Sequence, residues 1–550
     1  MILGREIAAK KERPERVLQF GEGVFLRAFA DELFDRLNES GLFDGSIVVV
    51  PPTPRGSAEP LNRQDGLYTV LLRGLLDGRP VSLRRVITSI SRAVNAYTDY
   101  ETYIACAKNP DLRFVISNTT EAGIVFDDHA RPDDRPPAGF PAKVAAFLYE
   151  RFRYFEGDAR RGLIFLPCEL VDRNGSELRA CVLRHADAWR YCPEFAAWVD
   201  SACLFLDTLV DRIVSGYPEG EADALAAEFG YEDALLDCGE PFHFWAIELP
   251  TARSHADTPV VAPSDTPVVA PAEPLPAEPS PVGSLSAGAR PFIASGGDID
   301  LPALLPFHKI GLNVLYSDDI APYRQRKVRL LNGAHTSCAL AAFLAGKDTV
   351  GQAVGDPLFL RFLKRALFDE IIPTLDLDRA ELTAFAASVL ERFANPYVRH
   401  SLTGIALNST SKFKVRVLPS ILEYHRRADA LPAALVFSFA ALLAYYRVGR
   451  RDGSGAGAGA ASVPAYYGER AGEAYEVKDD ESALAFFAAA WTACDLSREG
   501  VHGLVRGVCA RESLWGADLN ALPGFAAAAA DALSAILRDG VAAALAACMK

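Results

Sequence analysis

"VLQFGEGVFLRAFADEL", residues 17–33, decides how this chain is read. An apolar run ends in Gly21-Glu22-Gly23, and a helical pattern starts at once, with Phe25, Phe29, Leu33 and Leu37 at helical spacing. Gly21 permits a tight turn, and Gly23 lets backbone approach a pyrophosphate resting on the positive end of a helix. The third glycine of the usual pattern is replaced by Leu26. Alone, a GxG after a strand is equally a plain turn. At the head of a strand–helix–strand unit it points to a dinucleotide site.

Further strands extend the pattern. "SIVVV" (46–50), "RFVIS" (113–117) and "GLIFLP" (162–167) read as buried strands, and "AKVAAFLYERFRYF" (142–155) as a helix between two of them. Strands alternating with helices predict a doubly wound parallel sheet. The second strand runs into "PPTPRGS" (51–57), where an NAD site usually offers an acid to the ribose hydroxyls. None is there. Arg55 could meet a 2′-phosphate or be an ordinary loop residue, so these residues leave NAD and NADP both open.

With 550 residues the chain is too long for one core, and a net charge of −14 argues against a nucleic-acid surface. Ten cysteines without CxxC spacing suit reduced thiols in a cytoplasmic protein. The N-terminus shows no signal peptide. The uncharged stretch 430–446 holds Pro432 and Ser438 and reads as a buried helix rather than a membrane span. Ten prolines fall within 250–291, where "DTPVVAP" occurs twice, so 251–298 is expected to be a low-complexity insertion. It divides an expected dinucleotide-binding domain (1–250) from a mainly helical one (299–550). "GRRDGSGAGAGAAS" (449–462) reads as an enlarged loop.

Near the start of the helical half lies "RKVRLLNGAHTSCAL" (326–340). On an α-helix Lys327, Asn332 and His335 fall within an arc of about 140°. A lysine beside a substrate hydroxyl can act as general base, while Asn332 and His335 hold the oxygen that becomes a carbonyl. The same three residues could instead be a surface lysine and a satisfied core histidine. The nine histidines show no HxH or HExxH spacing, so no metal site is expected. There is no GxSxG elbow and no P-loop.

"GEGVFLRAF", "QDGLYT", "SNTTEAG", "LVDRI", "GEPFHFWAIE", "KVRLLNGAH" and "FANPYVRHSL", in this order, resemble the mannitol dehydrogenase family of polyol-specific long-chain dehydrogenases. The resemblance implies an α/β Rossmann-type N-terminal domain followed by a mainly α-helical C-terminal domain. It implies NAD as cofactor, Lys327 as general acid/base, and Asn332 and His335 as oxyanion and orienting groups. Gly21, Gly23, Phe25, Arg27, Thr120 and Glu121 would line the cofactor, and Asp211 and Lys412 would face the substrate. "PCELVDRNG" (167–175) and "YEDALLDCGEPFHF" are most similar to members that interconvert a ketohexuronate and its aldonate. A small-molecule substrate is therefore expected, with no nucleic acid or membrane partner and the oligomeric state open.

Three departures set the chain apart from mannitol-specific members. Leu170 stands where they carry an asparagine, Gly404 where they carry an arginine, and Arg324 where they carry a glutamate. A uronate brings a carboxylate, which an arginine can pair bidentately, so Arg324, or a basic residue of "YVRHSL" such as Arg399, becomes a candidate substrate group. The alternatives are another sugar-acid or polyol dehydrogenase of the family, and a non-catalytic sugar-acid or nucleotide sensor.

Overall fold

The computed structural model describes residues 1–76, 78–119, 122–250, 299–451 and 465–550. The chain divides into two compact units. Unit 1 comprises Met1–Val70, Arg85–Asp237 and His243–Ile320, and unit 2 comprises Leu71–Arg84, Cys238–Phe242 and Ala321–Lys550.

Unit 1 is built on six parallel strands: β1 (Glu15–Phe20), β2 (Ser46–Val50), β3 (Ile90–Ala93), β4 (Phe114–Ser117), β5 (Ile164–Pro167) and β6 (Leu204–Phe205). Their spatial order is β3-β2-β1-β4-β5-β6. That is the doubly wound order, whose direction reverses between β1 and β4. Both faces are covered, which is why the strands are apolar throughout. Leu18 and Phe20 of β1 share a core with Phe147 and Leu148 of α3 (Phe140–Tyr154) and with Leu178 and Val182 of α4 (Asn174–Ala188). The single helix expected after Gly23 is split into α1 (Val24–Arg27) and α2 (Ala30–Glu39). The break is at Phe29, which leaves helical geometry (φ −124°, ψ −85°) and packs its ring 5.5 Å from Trp245.

A smaller sheet in unit 1 orders β9 (Val314–Ser317), β8 (Phe244–Glu248) and β7 (Thr208–Asp211). β9 pairs with β8 in parallel. This pairing explains a difference from the expected division at 250 and 299: residues 299–320 belong to the first unit. Residues 71–84 and 238–242, expected in the first domain, belong to the second. Glu240 is salt-bridged to Arg392, and Asn395 Nδ2 donates to the Arg73 carbonyl at 2.9 Å. The Pro-rich segment 251–298 and most of the Gly-rich one lie outside the described residues.

Residues 71–84 of unit 2 lie mostly in two strands, Tyr68–Leu76 and Arg79–Ile87, and its larger part, Ala321–Lys550, is helical apart from a three-stranded antiparallel sheet, β10 (Gly449–Arg451), β11 (Ala465–Arg470) and β12 (Glu473–Val477). Its chain starts with α5 (Ala321–Arg326), a π-helical segment (Lys327–Asn332) and α6 (Gly333–Leu344). Around α6 the core gathers α7 (Arg379–Phe393), α8 (Ser409–Arg416), α9 (Ala433–Tyr445) and α10 (Phe525–Asp539). α9 is the uncharged stretch, 13 residues long and buried. Among the described residues no helix is long and apolar enough to cross a membrane.

Candidate active site

The glycine turn of unit 1 sits at the reversal between β1 and β4. Gly21 adopts φ +132°, and a side chain there would press on the Asn118 carbonyl and on Leu26, both 3.0 Å from its Cβ. Glycine is therefore required. A Cβ on Gly23, by contrast, would meet nothing within 4 Å, so its backbone is open to a ligand. The Phe25 ring stacks on Phe29 at 5.1 Å. These features fit a dinucleotide: a turn closed on the protein side and open on the other. Thr120 and Glu121 lie outside the described residues. Their neighbours Ser117 and Thr119 are tied to the buried Glu169 carboxylate by three hydrogen bonds of 3.0 Å.

Beneath the turn lies a buried polar network that sequence reasoning missed. Gln19 Nε2 donates to the Gly21 carbonyl at 3.0 Å and to Asp31 Oδ2 at 3.3 Å. Tyr68 Oη donates to the same carboxyl oxygen at 2.9 Å and lies 3.1 Å from the Arg27 carbonyl. Burial pushes the Asp31 carboxyl up to about 7, against the pull of the Tyr68 and Gln19 hydrogen bonds. Arg27 joins this network. Its Nη1 donates to the Leu235 carbonyl at 2.6 Å and its Nη2 lies 3.8 Å from Asp237. The guanidinium thus holds the polypeptide of unit 1. A signal was in the sequence: Gln19 interrupts an apolar strand one step from the glycines.

In unit 2 the π-helical segment changes the geometry expected of Lys327, Asn332 and His335. Its i→i+5 bonding widens a turn to about 4.4 residues, about 80° per step. The three residues then fall within about 60° rather than about 140°, on one narrow stripe. Arg324 is one turn before Lys327 and half-buried, which lowers its guanidinium from the ordinary value. Gly333 admits the end of α8, since a Cβ there would lie 3.1 Å from the Arg416 carbonyl.

His335 is buried, its ring stacked on Phe393 at 4.1 Å and edge-on to His400 at 4.8 Å. Among the described residues its Nε2 has no hydrogen-bond partner. Burial holds its pKa well below the usual imidazole value, helped by His400, Arg392, Arg416 and Lys412. Arg392, Arg416 and Lys412 thus all disfavour a charged ring. Arg392 is matched by Glu240, with three hydrogen bonds of 2.8–3.1 Å. Lys412 Nζ donates to the Ile405 carbonyl at 2.9 Å. His400, Phe393 and Arg416 were not singled out from sequence, although the first two stand inside "FANPYVRHSL". Arg399 of that stretch is exposed, as is Leu170. Asp211 is a buried residue at the end of β7 in unit 1. Among the described residues no cluster of His, Cys, Asp and Glu could hold a metal ion.

Residues 15–259 match the mannitol dehydrogenase Rossmann domain, and residues 319–537 match the mannitol dehydrogenase C-terminal domain. An altronate oxidoreductase of Klebsiella pneumoniae is 40% identical over 96% of this chain and 95% of its own. That of Pectobacterium atrosepticum is 39% identical over 99% of both. The chain belongs to the mannitol dehydrogenase family. Two solved structures share the fold. Pseudomonas fluorescens mannitol 2-dehydrogenase, in complex with NAD and D-mannitol, has a TM-score of 0.66 and 21% identity, covering 100% of this chain and 99% of that one. A D-sorbitol dehydrogenase has a TM-score of 0.71 and 22% identity, covering 99% of this chain and 100% of that one. Membership in this family makes the chain an oxidoreductase acting on CH–OH groups, with NAD as its cofactor.

Proposed function

We propose that the chain interconverts D-tagaturonate and D-altronate with NAD(H), using Lys327 as general acid and base. The observation that carries the site assignment is His335: a buried imidazole whose Nε2 has no hydrogen-bond partner among the described residues, in the helix that continues the π-helical segment carrying Lys327 and Asn332. The substrate assignment draws on the altronate oxidoreductases that are similar over nearly the full chain.

The glycine turn, Gly21 and Gly23 with Phe25, would hold NADH, which would supply the hydride. Toward the keto oxygen, Asn332 Nδ2 and the neutral His335 imidazole, protonated on Nε2, donate hydrogen bonds that strengthen as negative charge develops there. Lys327 delivers the proton to that oxygen. In the oxidative direction Lys327 takes the hydroxyl proton, and the same two donors hold the oxygen as it becomes a carbonyl. The positive groups near His335 suit a substrate carrying a carboxylate, and Arg324, Lys412 and Asp211 are assigned to substrate. Gly21, Gly23, Phe25 and Arg27 are assigned to cofactor with Thr120 and Glu121.

The test is a panel of tagaturonate, fructuronate, fructose and the corresponding alcohols, each assayed with NADH or NAD+. Tagaturonate and altronate should give the highest kcat/KM. A preference for fructuronate or a neutral ketose would move the chain to another activity of the family, and no turnover on any of them would favour a sensor. Arg324→Met should raise KM for tagaturonate more than for fructose. An unchanged KM and kcat would remove Arg324 from the substrate site.

A further inference from the structure

The loop after β2 offers no acid, yet the chain belongs to an NAD-dependent family. The structure brings an acid to that loop from elsewhere. Glu22, between the two glycines of the turn, extends its carboxylate to Gly56 of that loop. A Cβ built on Gly56 would overlap Glu22 Oε1 and stand 2.6 Å from Pro51 Cβ. Gly56 is the residue whose missing side chain makes room for this carboxylate. The loop is also held in place: Gly56 N donates to the Thr53 carbonyl at 3.1 Å, Asn95 Nδ2 to the Gly56 carbonyl at 3.1 Å, and Tyr97 Oη to the Pro52 carbonyl at 3.3 Å. Arg55, the one basic residue of the loop, is exposed.

In a doubly wound sheet the adenosine half of a dinucleotide lies by the end of the second strand, where a carboxylate accepts hydrogen bonds from the ribose diol. We infer that Glu22, seated against Gly56, is the carboxylate that binds the adenosine ribose hydroxyls and selects NAD(H) over NADP(H). A 2′-phosphate there would face a fixed negative charge. The glycine turn thus does two jobs: its backbone admits the pyrophosphate and its intervening side chain reads the ribose. Gly56 acts as a positioning residue, since any larger side chain would displace the acid. This rests on the reading of the chain as a dinucleotide-dependent oxidoreductase.

The experiment is calorimetric binding of NADH and of NADPH, without sugar substrate, to the wild type, Glu22→Gln and Glu22→Ser, with thermal melts to show that the variants are folded. Gly56→Ala serves as an independent variant that leaves Glu22 in the chain. The wild type should bind NADH at least tenfold more tightly than NADPH. Losing a charged acceptor should weaken NADH by about tenfold or more. Glu22→Ser, which also removes the repulsion, should strengthen NADPH, and Gly56→Ala should shift the preference the same way. An NADH-to-NADPH ratio unchanged in both Glu22 variants would overturn the inference while leaving the dehydrogenase reading intact. A wild type that prefers NADPH would overturn it and hand selection to Arg55. A wild type that binds neither dinucleotide would overturn both.

Discussion

Asp31 in unit 1 and His335 in unit 2 are both buried titratable groups that burial drives toward neutrality. Each keeps one buried atom without a hydrogen-bond partner among the described residues, Asp31 Oδ1 and His335 Nε2, but the rest of their surroundings differ. Asp31 accepts from Tyr68 and Gln19, and through Gln19 it reaches the carbonyl of Gly21. His335 receives no bond at Nε2 among the described residues, and Arg392, Arg416 and Lys412 disfavour its charged form. Buried polar groups in native proteins are nearly always paired, so each exception calls for a reason. The difference separates two tasks. One group shapes a backbone turn that must already be correct when a cofactor arrives. The other keeps a donor for an oxygen that belongs to the substrate.

The largest effect should come from the stripe that carries His335. Lys327→Ala should lower kcat by about 10²–10⁴, the contribution of general acid–base catalysis. NADH affinity, a property of the other unit's turn, should stay within about twofold by the same logic of independent sites. A variant with normal turnover would refute the assignment of Lys327, and one that lost NADH binding in parallel would erase the division of tasks.

Next in size is the pair that keeps one of the positive groups in balance. Arg392 and Glu240 are both buried, and the Nε and Nη2 of Arg392 both donate to the Glu240 carboxylate. Removing one member leaves an uncompensated buried charge, costing about 3–5 kcal/mol. Arg392→Met should lose that much in chemical denaturation, and adding Glu240→Met should recover most of it. If the double variant is no better than the single, the pair is not the source of the loss.

The two sites were unequally legible in sequence. Unit 1 announced its strands because parallel strands covered on both faces are apolar throughout, and Gly21 because only glycine fits its φ. The fragmentation of the following helix at Phe29 was hidden, since Phe25, Phe29, Leu33 and Leu37 keep helical spacing across the break. In unit 2 the residue types of the Lys327 stripe were visible and its geometry was not: periodicity assumes about 100° per residue, and a π-helical turn violates that assumption locally. His400, Arg416 and Glu240 are distant in sequence, so no local pattern could assemble them around His335. Glu22 was hidden for a different reason. Its motif position marks only the space between two glycines, and its meaning comes from Gly56.

Asp31→Asn tests the unit 1 half of the comparison. The folded carboxyl titrates near 7 and the unfolded one near 4, so between those values the native state holds the extra proton. Wild-type stability should therefore fall as pH rises from about 4 to about 7, by roughly 1.4 kcal/mol per pH unit at most. Asn keeps a carbonyl oxygen for Tyr68 and Gln19 and cannot ionise. Its Tm should gain on the wild type from pH 5 to about pH 7 and level off above it. Parallel Tm curves would mean that Asp31 is ionised throughout and that its proton has no part in holding Gly21.

His335 should show the reverse slope, over a narrower accessible range of pH. Its folded pKa lies well below the unfolded value near 6.5, so below pH 6.5 the unfolded chain binds a proton that the native state refuses. Its contribution to stability is complete above pH 6.5 and is lost as pH falls, by about 1.4 kcal/mol per pH unit until the folded pKa is reached. His400, which burial also lowers, titrates in the same direction. The measurement must therefore be a difference: denaturation of wild type and His335→Gln at pH 7.5, 6.5, 5.5 and 5.0. Glutamine can still donate to a substrate oxygen and carries no titrating proton. The variant should be less sensitive to acid by about one proton, leaving the slope that His400 and the carboxylates provide. Equal slopes would mean that the His335 ring already carries charge in the native state. It would then face Arg416 and Lys412 as a third cation, and the neutral-donor role given to it here would fall.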